Sequence, residues 1–223
     1  MSGVVGVFAI AGSRVPCEPQ IAQMAKSVAD TTDYQYPLSD HRLRLEAFIN
    51  PSLKQSTFQC SESGSFVWLY GDFQNSQELL SRIGSGGAES HNASELLLRL
   101  YQTKGLLCVP MLRGSFSAVI WDAREHRLAL IRDQLGTKNL YFSQDGDNLW
   151  FSSSQEALRS LQQPELNFMS LHSLLMTGAT PLGETLIRKI ESVRPGEIFL
   201  ADRGRSRKSR YWQFEYSLSL IHI

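Results

Sequence analysis

The sequence has no long apolar run, no surplus of either charge and few cysteines. Apolar stretches such as residues 96–98 and 128–131 are broken by charge within a few positions, far short of the roughly 20 residues that a helix needs to cross a bilayer. A membrane span and a membrane partner are therefore not expected. Lys+Arg and Asp+Glu both number 22 in 223 residues, which gives neither the basic bulk of a nucleic-acid binder nor the high net charge of a disordered chain. Cys17, Cys60 and Cys108 are odd in number and scattered, so they suggest no disulfide framework, and no Cys-x-x-Cys occurs. The five histidines show no ligand spacing, so no metal site is expected. The start, Met-Ser-Gly-Val-Val-Gly-Val-Phe-Ala-Ile, has no cation ahead of its apolar stretch and does not look like a secretory leader. A reducing, cytoplasmic setting is the expectation.

What is present is 42% hydrophobic and 10% aromatic residues, enough for one sizeable core or two small ones. Val4-Val5-Gly6-Val7-Phe8-Ala9-Ile10 suits a strand buried on both faces. Ile21, Met24, Ala25 and Val28 fall at helical spacing, and Phe66-Val67-Trp68-Leu69-Tyr70 before Gly71-Asp72 predicts a strand ending in a turn. Helices are predicted over 76–83 and 94–101, the second stopping at Gly105. Strands are predicted over 114–122 and 128–132, then 139–143 and 148–152. The last pair is joined through Asp145-Gly146, a hairpin signal, so an antiparallel meander is the economical expectation. Short helices over 156–161 and 170–176, a Pro195-Gly196 turn and a strand over 197–201 complete an α+β pattern.

Several strings carry a family resemblance in order. They are Gly71-Asp72-Phe73-Gln74-Asn75, residues 95–105, residues 112–122, and Arg132-Asp133-Gln134-Leu135-Gly136-Thr137-Lys138-Asn139-Leu140-Tyr141, followed by residues 151–158 and Val193-Arg194-Pro195-Gly196. Together they resemble the N-terminal, class II glutamine amidotransferase domain of asparagine synthetases over residues 1–212. The resemblance implies an N-terminal-nucleophile hydrolase sandwich (αββα), with two antiparallel sheets between helices. It also implies hydrolysis of glutamine to glutamate and ammonia, which a following ATP-dependent synthetase domain uses to amidate a carboxylate such as that of aspartate.

The family's chemistry needs a nucleophile exposed at the N-terminus with its own α-amine as base. The family has Cys at position 2, whereas this chain has Ser2, and a hydroxyl is a far weaker nucleophile than a thiol near neutral pH. Ser2 is either a weak nucleophile or a vestige. The oxyanion-hole pair Asn-Gly aligns with Tyr70-Gly71, next to Asp72, so the Gly71 backbone donor is kept while the side-chain amide is lost. The acid that grips the substrate ammonium aligns with Ala93. The string His-Arg-Gly-Pro-Asp has no counterpart between Met24 and Asp40. Arg42 aligns with the arginine that binds the substrate carboxylate, and a plain surface arginine remains the open alternative. Three losses against one survivor predict a domain inactive as a glutaminase and retained as a structural partner. The pattern resembles relatives that take the amine from the substrate itself, such as lasso-peptide cyclases. The alternatives are a working glutaminase using Ser2 to supply ammonia for asparagine biosynthesis, and a stand-alone binding module; glutamine or a peptide substrate is the possible small partner.

Gly84-Ser85-Gly86-Gly87 lacks the Gly-Lys-Ser/Thr ending of a phosphate loop and reads as a surface turn. The basic run from Arg203 to Arg210 reads as a solvated hairpin turn between two late strands rather than a contact for nucleic acid or an acidic leader. Arg132, Asp133 and Lys138 could lie at the contact with a synthetase domain or form an ordinary ion-paired turn. Residues 213–223 read as the tail of a truncated frame lacking the C-terminal synthetase domain, the implied partner. ATP and magnesium would belong to that missing part, none to this segment, and oligomerisation is left open.

Overall fold

The computed structural model describes residues 3–11, 15, 18–28, 34–49, 56–83, 92–202 and 204–215. In chain order the elements are β1 (Gly3–Ala9), α1 (Glu18–Ala25), β2 (Tyr34–Ser39), β3 (Leu43–Ile49), β4 (Ser56–Cys60), β5 (Phe66–Phe73), α2 (Ser76–Ile83), α3 (Ala93–Lys104) and a 3-10 segment at Gly105–Met111. There follow β6 (Gly114–Asp122), β7 (Arg127–Arg132), β8 (Tyr141–Asp145), β9 (Asn148–Ser152), α4 (Gln155–Arg159), α5 (Phe168–Thr177), β10 (Glu191–Ser192), β11 (Glu197–Asp202) and β12 (Arg205–Arg210).

Two six-stranded sheets form, ordered β10-β8-β9-β1-β3-β2 and β12-β11-β7-β6-β5-β4, with every pairing antiparallel. Side chains alternate across each strand, which sorts the apolar residues into three layers. Val4 and Phe8 of β1 meet Trp68, Val119, Leu130 and Phe199 between the sheets. Val5 and Val7 face outward onto Ile21 and Met24 of α1, while Val67, Leu69 and Ile120 face outward onto Leu97 and Leu100 of α3. The result is the expected αββα sandwich, and burial on both faces explains why β1 reads as a continuous apolar run.

Three sequence expectations change. First, β5 does not end at Gly71-Asp72: it continues to Phe73, and the turn falls at Gln74 and Asn75, whose side chain bonds the Met111 carbonyl and the Arg113 amide. Secondly, the expected meander divides between the sheets, β6–β7 in one and β8–β9 in the other, because the chain between Arg132 and Asn139 crosses from sheet to sheet. Thirdly, the basic run is itself edge strand β12, with all six residues exposed and paired from Asp202↔Arg205 to Glu197↔Arg210. Gly204, at φ 82°, makes the turn. Positive charge on an exposed edge discourages further strand addition. Strands β2, β3 and β4 are additional to the sequence reading.

Candidate functional site

The residue-3 end of β1 abuts the loop after β9. A Cβ at Gly3 would stand 2.2 Å from Val28 Cγ1 and 2.6 Å from Ser153 Oγ, so only glycine allows this approach. The Val4 amide donates to Ser153 Oγ at 3.0 Å and the Ser153 amide to the Val4 carbonyl at 3.0 Å. Beside this junction lies a cavity of about 280 Å³ lined by Ser27, Val28, Tyr70, Thr137, Lys138, Asn139, Ser153 and Ser154. Ser2, the sequence candidate for the nucleophile, lies outside the described residues, as do Gly84–Gly87, His91 and the tail from residue 216.

Tyr70 enters the cavity from β5, and its ring carries the Lys138 ammonium 4.5 Å from its centroid, within the range of a cation–π contact. Behind Tyr70 the ring of Trp68 stacks at 6.4 Å. Gly71 follows, with φ 118°, and a Cβ there would lie 1.9 Å from the Ser115 carbonyl oxygen. Gly114, in register with Phe73, is equally tight, 2.2 Å from the Asp72 oxygen. These glycines therefore let β5 and β6 close on each other, a backbone reason for the Gly-Asp-Phe and Arg-Gly-Ser strings independent of catalysis. Asp72 is exposed and its Oδ1 accepts from the Phe73 amide at 2.8 Å.

Lys138 is held from behind. The Arg132 guanidinium, 9% exposed, donates to the carbonyls of Lys138 (2.8 Å), Val193 (2.9 Å) and Gly136 (2.7 Å) and to Asn139 Oδ1 (2.7 Å). The carboxylate of fully buried Asp133 accepts from the amides of Phe116 (3.2 Å), Leu135 (2.9 Å) and Thr137 (2.9 Å), and from the Thr137 hydroxyl (2.6 Å). Burial lowers the Arg132 pKa, with Tyr141 and Asp133 opposing. The ion-paired turn considered from sequence is thus replaced by two buried charges that each bind backbone, satisfying the chain where it crosses between sheets.

Arg42 is not part of this cavity. Its carbonyl accepts from the Ala9 amide at the far end of β1, whereas the β3 residue in register with Gly3 is Phe48, which is buried. Six residues of strand at about 3.3 Å each put roughly 20 Å between the two ends, so Arg42 and Gly3 lie at opposite ends of β1. Ala93 opens α3, with Asn92 as N-cap accepting from the Ser94 amide at 3.0 Å. At the other end of α3, Tyr101 donates to Asp122 at 2.9 Å, next to the Trp121↔Phe66 pair. The start of the helix is therefore on the Gly71 side. Among the described residues no carboxylate lines the cavity, and Ser27 and Val28 form part of its wall.

The Tyr70–Lys138 contact and the Ser153–Ser154 wall were not foreseen, although the motif from Arg132 to Lys138 was singled out. The string Ser-Gly-Gly-x-Asp-Ser, which would cradle an ATP pyrophosphate in the family, does not occur in the sequence. Among the described residues no group of three or more His, Cys, Asp or Glu side chains is placed to hold a metal. Nor, among the described residues, is any helix long and apolar enough to cross a membrane.

Comparison with known proteins gives a consistent picture. A family model described as a glutamine amidotransferase domain matches residues 1–212. The chain is 24% identical over 170 residues to the glutamine-hydrolysing asparagine synthetase 2 of Bacillus subtilis, covering 72% of this chain and 22% of that protein. It is 26% identical over 166 residues to asparagine synthetase 3 of the same organism, covering 70% and 26%. With amidase chyE of Penicillium rubens it shares 30% identity over 130 residues, covering 57% and 19%. The matched part is thus about a quarter of the length of these relatives. Among solved structures, the glutamine phosphoribosylpyrophosphate amidotransferase of B. subtilis superposes with a TM-score of 0.53 at 16% identity, covering 95% of this chain and 43% of that one. The allosteric regulatory enzyme of purine biosynthesis gives 0.55 at 14%, covering 95% and 49%. At these identities the likeness concerns the fold alone.

Proposed function

The chain belongs to the glutamine amidotransferase domain family, as an asparagine-synthetase-like member, and on that premise we propose that it no longer hydrolyses glutamine and serves as the structural partner of an ATP-dependent, amide-forming synthetase domain. The observation that carries this reading is Tyr70, which lines the cavity where the resemblance places the side-chain amide of the oxyanion hole. Glutamine brings an ammonium, a carboxylate and an amide whose carbonyl becomes an oxyanion. Among the described residues the cavity offers no carboxylate for the ammonium. A phenol stands beside Gly71, where the resemblance places a side-chain amide, and loss of one oxyanion donor costs about 10²–10³ in rate. Ser2 adds the weakness of an alcohol nucleophile.

A role as partner is supported by an apolar face. Of the α5 residues only Ser170 is buried, while Phe168, Met169, Leu175 and Met176 are each about 70% or more exposed, and Leu135 and Leu182 nearby are 66% exposed. Leu135, Leu174, Leu182 and Pro195 share a cavity of about 490 Å³. The chain leaves the fold beside it, since the amides of Tyr211 and Trp212 both donate to the Gly196 carbonyl. A segment following Trp212 would start next to this face, and exposed apolar patches of this kind mark protein contacts. The occupant we assign is the synthetase domain.

The test is glutamate release from glutamine by the purified 223-residue chain and by Ser2→Ala. The proposal expects no release above the buffer rate in either. Release by the wild type that disappears in Ser2→Ala would instead establish the Ser2 glutaminase.

A further inference from the structure

We propose that strand β12 is a docking edge for an acidic segment of another polypeptide, which adds to the sheet in extended form with Asp or Glu at alternate positions. The proposal goes beyond the reading of a non-hydrolytic domain and rests on a different surface.

Strand β12 is the last of its sheet, beyond β11, and all six of its residues are exposed. Such an end strand presents a row of backbone N–H and C=O groups to an incoming chain. Its two ends are fixed. The Gly204 amide donates to the Ile10 carbonyl at 2.9 Å and the Tyr211 amide to the Gly196 carbonyl at 2.8 Å, while the Tyr211 hydroxyl donates to the Arg132 carbonyl at 2.7 Å. Side chains alternate along the strand, and the register sorts them by partner. Ser206 and Lys208 pair with Ala201 and Phe199, which face the core between the sheets. Both are tied to the other sheet, Ser206 Oγ to Gln144 at 3.2 Å and the Lys208 ammonium to Glu191. Arg205 and Arg207 pair with Asp202 and Leu200 on the outer face, where Asp202 already accepts from Arg127 at 3.2 Å. Among the described residues Arg205, Arg207 and Arg210 form no ion pair. The strand is thus pinned on its inner face and carries unspent cations on its outer one. Arg205 and Arg207 lie about 6.7 Å apart along the strand, the repeat of alternate side chains on an added strand. Carboxylates at i and i+2 of that strand face both, and a guanidinium fork takes a carboxylate bidentately. The same cations deter an apolar strand, which would desolvate them, and a second copy of β12, which would meet like charge; an acidic strand is what they admit. Nucleic acid fits less well, because β12 has no aromatic side chain on which bases would stack and the chain carries no net positive charge, the two features on which such binding draws.

The 223-residue chain is titrated at constant ionic strength with a fluorescein-labelled octapeptide of alternating Glu and Thr. Binding is read by fluorescence anisotropy and by amide hydrogen exchange. Saturable binding is expected, at least tenfold tighter than that of an octapeptide of alternating Lys and Thr, with slower exchange at amides of residues 205–209 that face away from β11. Methylation of one of the peptide's two alternate sets of backbone nitrogens should weaken binding at least tenfold and methylation of the other set should not, a signature of strand addition that attraction between charges alone would not give. Arg205→Gln with Arg207→Gln should weaken binding at least tenfold, and Arg82→Gln on α2 not at all. Should the double variant fail to fold, the exchange pattern and the two methylated peptides, measured on the unmodified chain, decide instead. Absence of saturable binding, equal binding of both methylated peptides, protection confined to residues outside β12, or no dependence on the two arginines in a folded variant would overturn the proposal. A thymidine oligonucleotide of equal charge binding more tightly than the octapeptide would overturn it in favour of nucleic acid. Protection of β12 that rises with the concentration of the chain alone would overturn it in favour of a second copy.

Discussion

At the scale of single residues, backbone approach and buried charge account for more of this region than catalysis does. Gly71 has φ 118° and meets the Ser115 carbonyl where a Cβ would go, so Gly71→Ala forces β5 from β6. A loss of about 3 kcal/mol is expected from the combined strain and overpacking, read by urea unfolding, whereas a residue kept only as an oxyanion donor would leave stability unchanged. Arg132→Lys removes a planar fork that serves four acceptors; one ammonium cannot reach all of them. A loss of about 2–3 kcal/mol is expected, together with faster hydrogen exchange at residues 136–139. The changes at Ser2, Tyr70 and Ala93 were legible in the sequence because each is an identity at an aligned position. The separation of Arg42 from Gly3 was not legible, because a string near a turn does not say which end of a strand it occupies; only the β1–β3 register separates the two. The Tyr70–Lys138 contact joins residues 68 apart in sequence through the packing of two layers, and no local pattern encodes it.

At the scale of elements, legibility followed periodicity. Strands β6, β7 and β9 and helices α2 and α3 show clear spacing and matched to within three residues at either end. Leu43, Leu45 and Ala47 of β3 also alternate, but with Arg44 and Glu46 between them the segment reads as a polar stretch, and Pro37 argues against β2 except at a sheet edge, which is where it lies. The division of the expected meander was invisible because pairing partners are set by the crossing at residues 133–139. Helix α5 reads simply as a short helix, and its apolar side chains are mostly exposed. Met169→Lys with Met176→Lys should therefore reduce dye binding to exposed apolar surface and self-association in sedimentation, at a cost in stability within about 0.5 kcal/mol. An equal loss of folding would mean that this face is covered from within the chain.

At the scale of the whole molecule, two sheets bury their shared core between helical layers, and the thiols report on its integrity. Burial pushes the Cys108 thiol from 9.0 up to about 12, and the side chain is fully buried, whereas Cys60 is exposed. Iodoacetamide at pH 8 should modify Cys60 rapidly and Cys108 only on unfolding. Because the unfolded thiol ionises at lower pH than the folded one, the unfolded state loses its proton first, and this contribution to stability falls as pH rises from about 9 toward 12. The sandwich itself is shared with two solved enzymes at 14–16% identity, so the frame tolerates wide change in sequence while the pocket decides the chemistry.

Glutamine turnover by the intact 223-residue chain, followed as glutamate formed over hours at saturating glutamine, tests the central claim most directly. The account predicts a rate equal to buffer alone, for the wild type and for Ser2→Ala alike. Steady release that requires Ser2 would contradict it, and would mean that the cavity beside Lys138 still binds glutamine for hydrolysis.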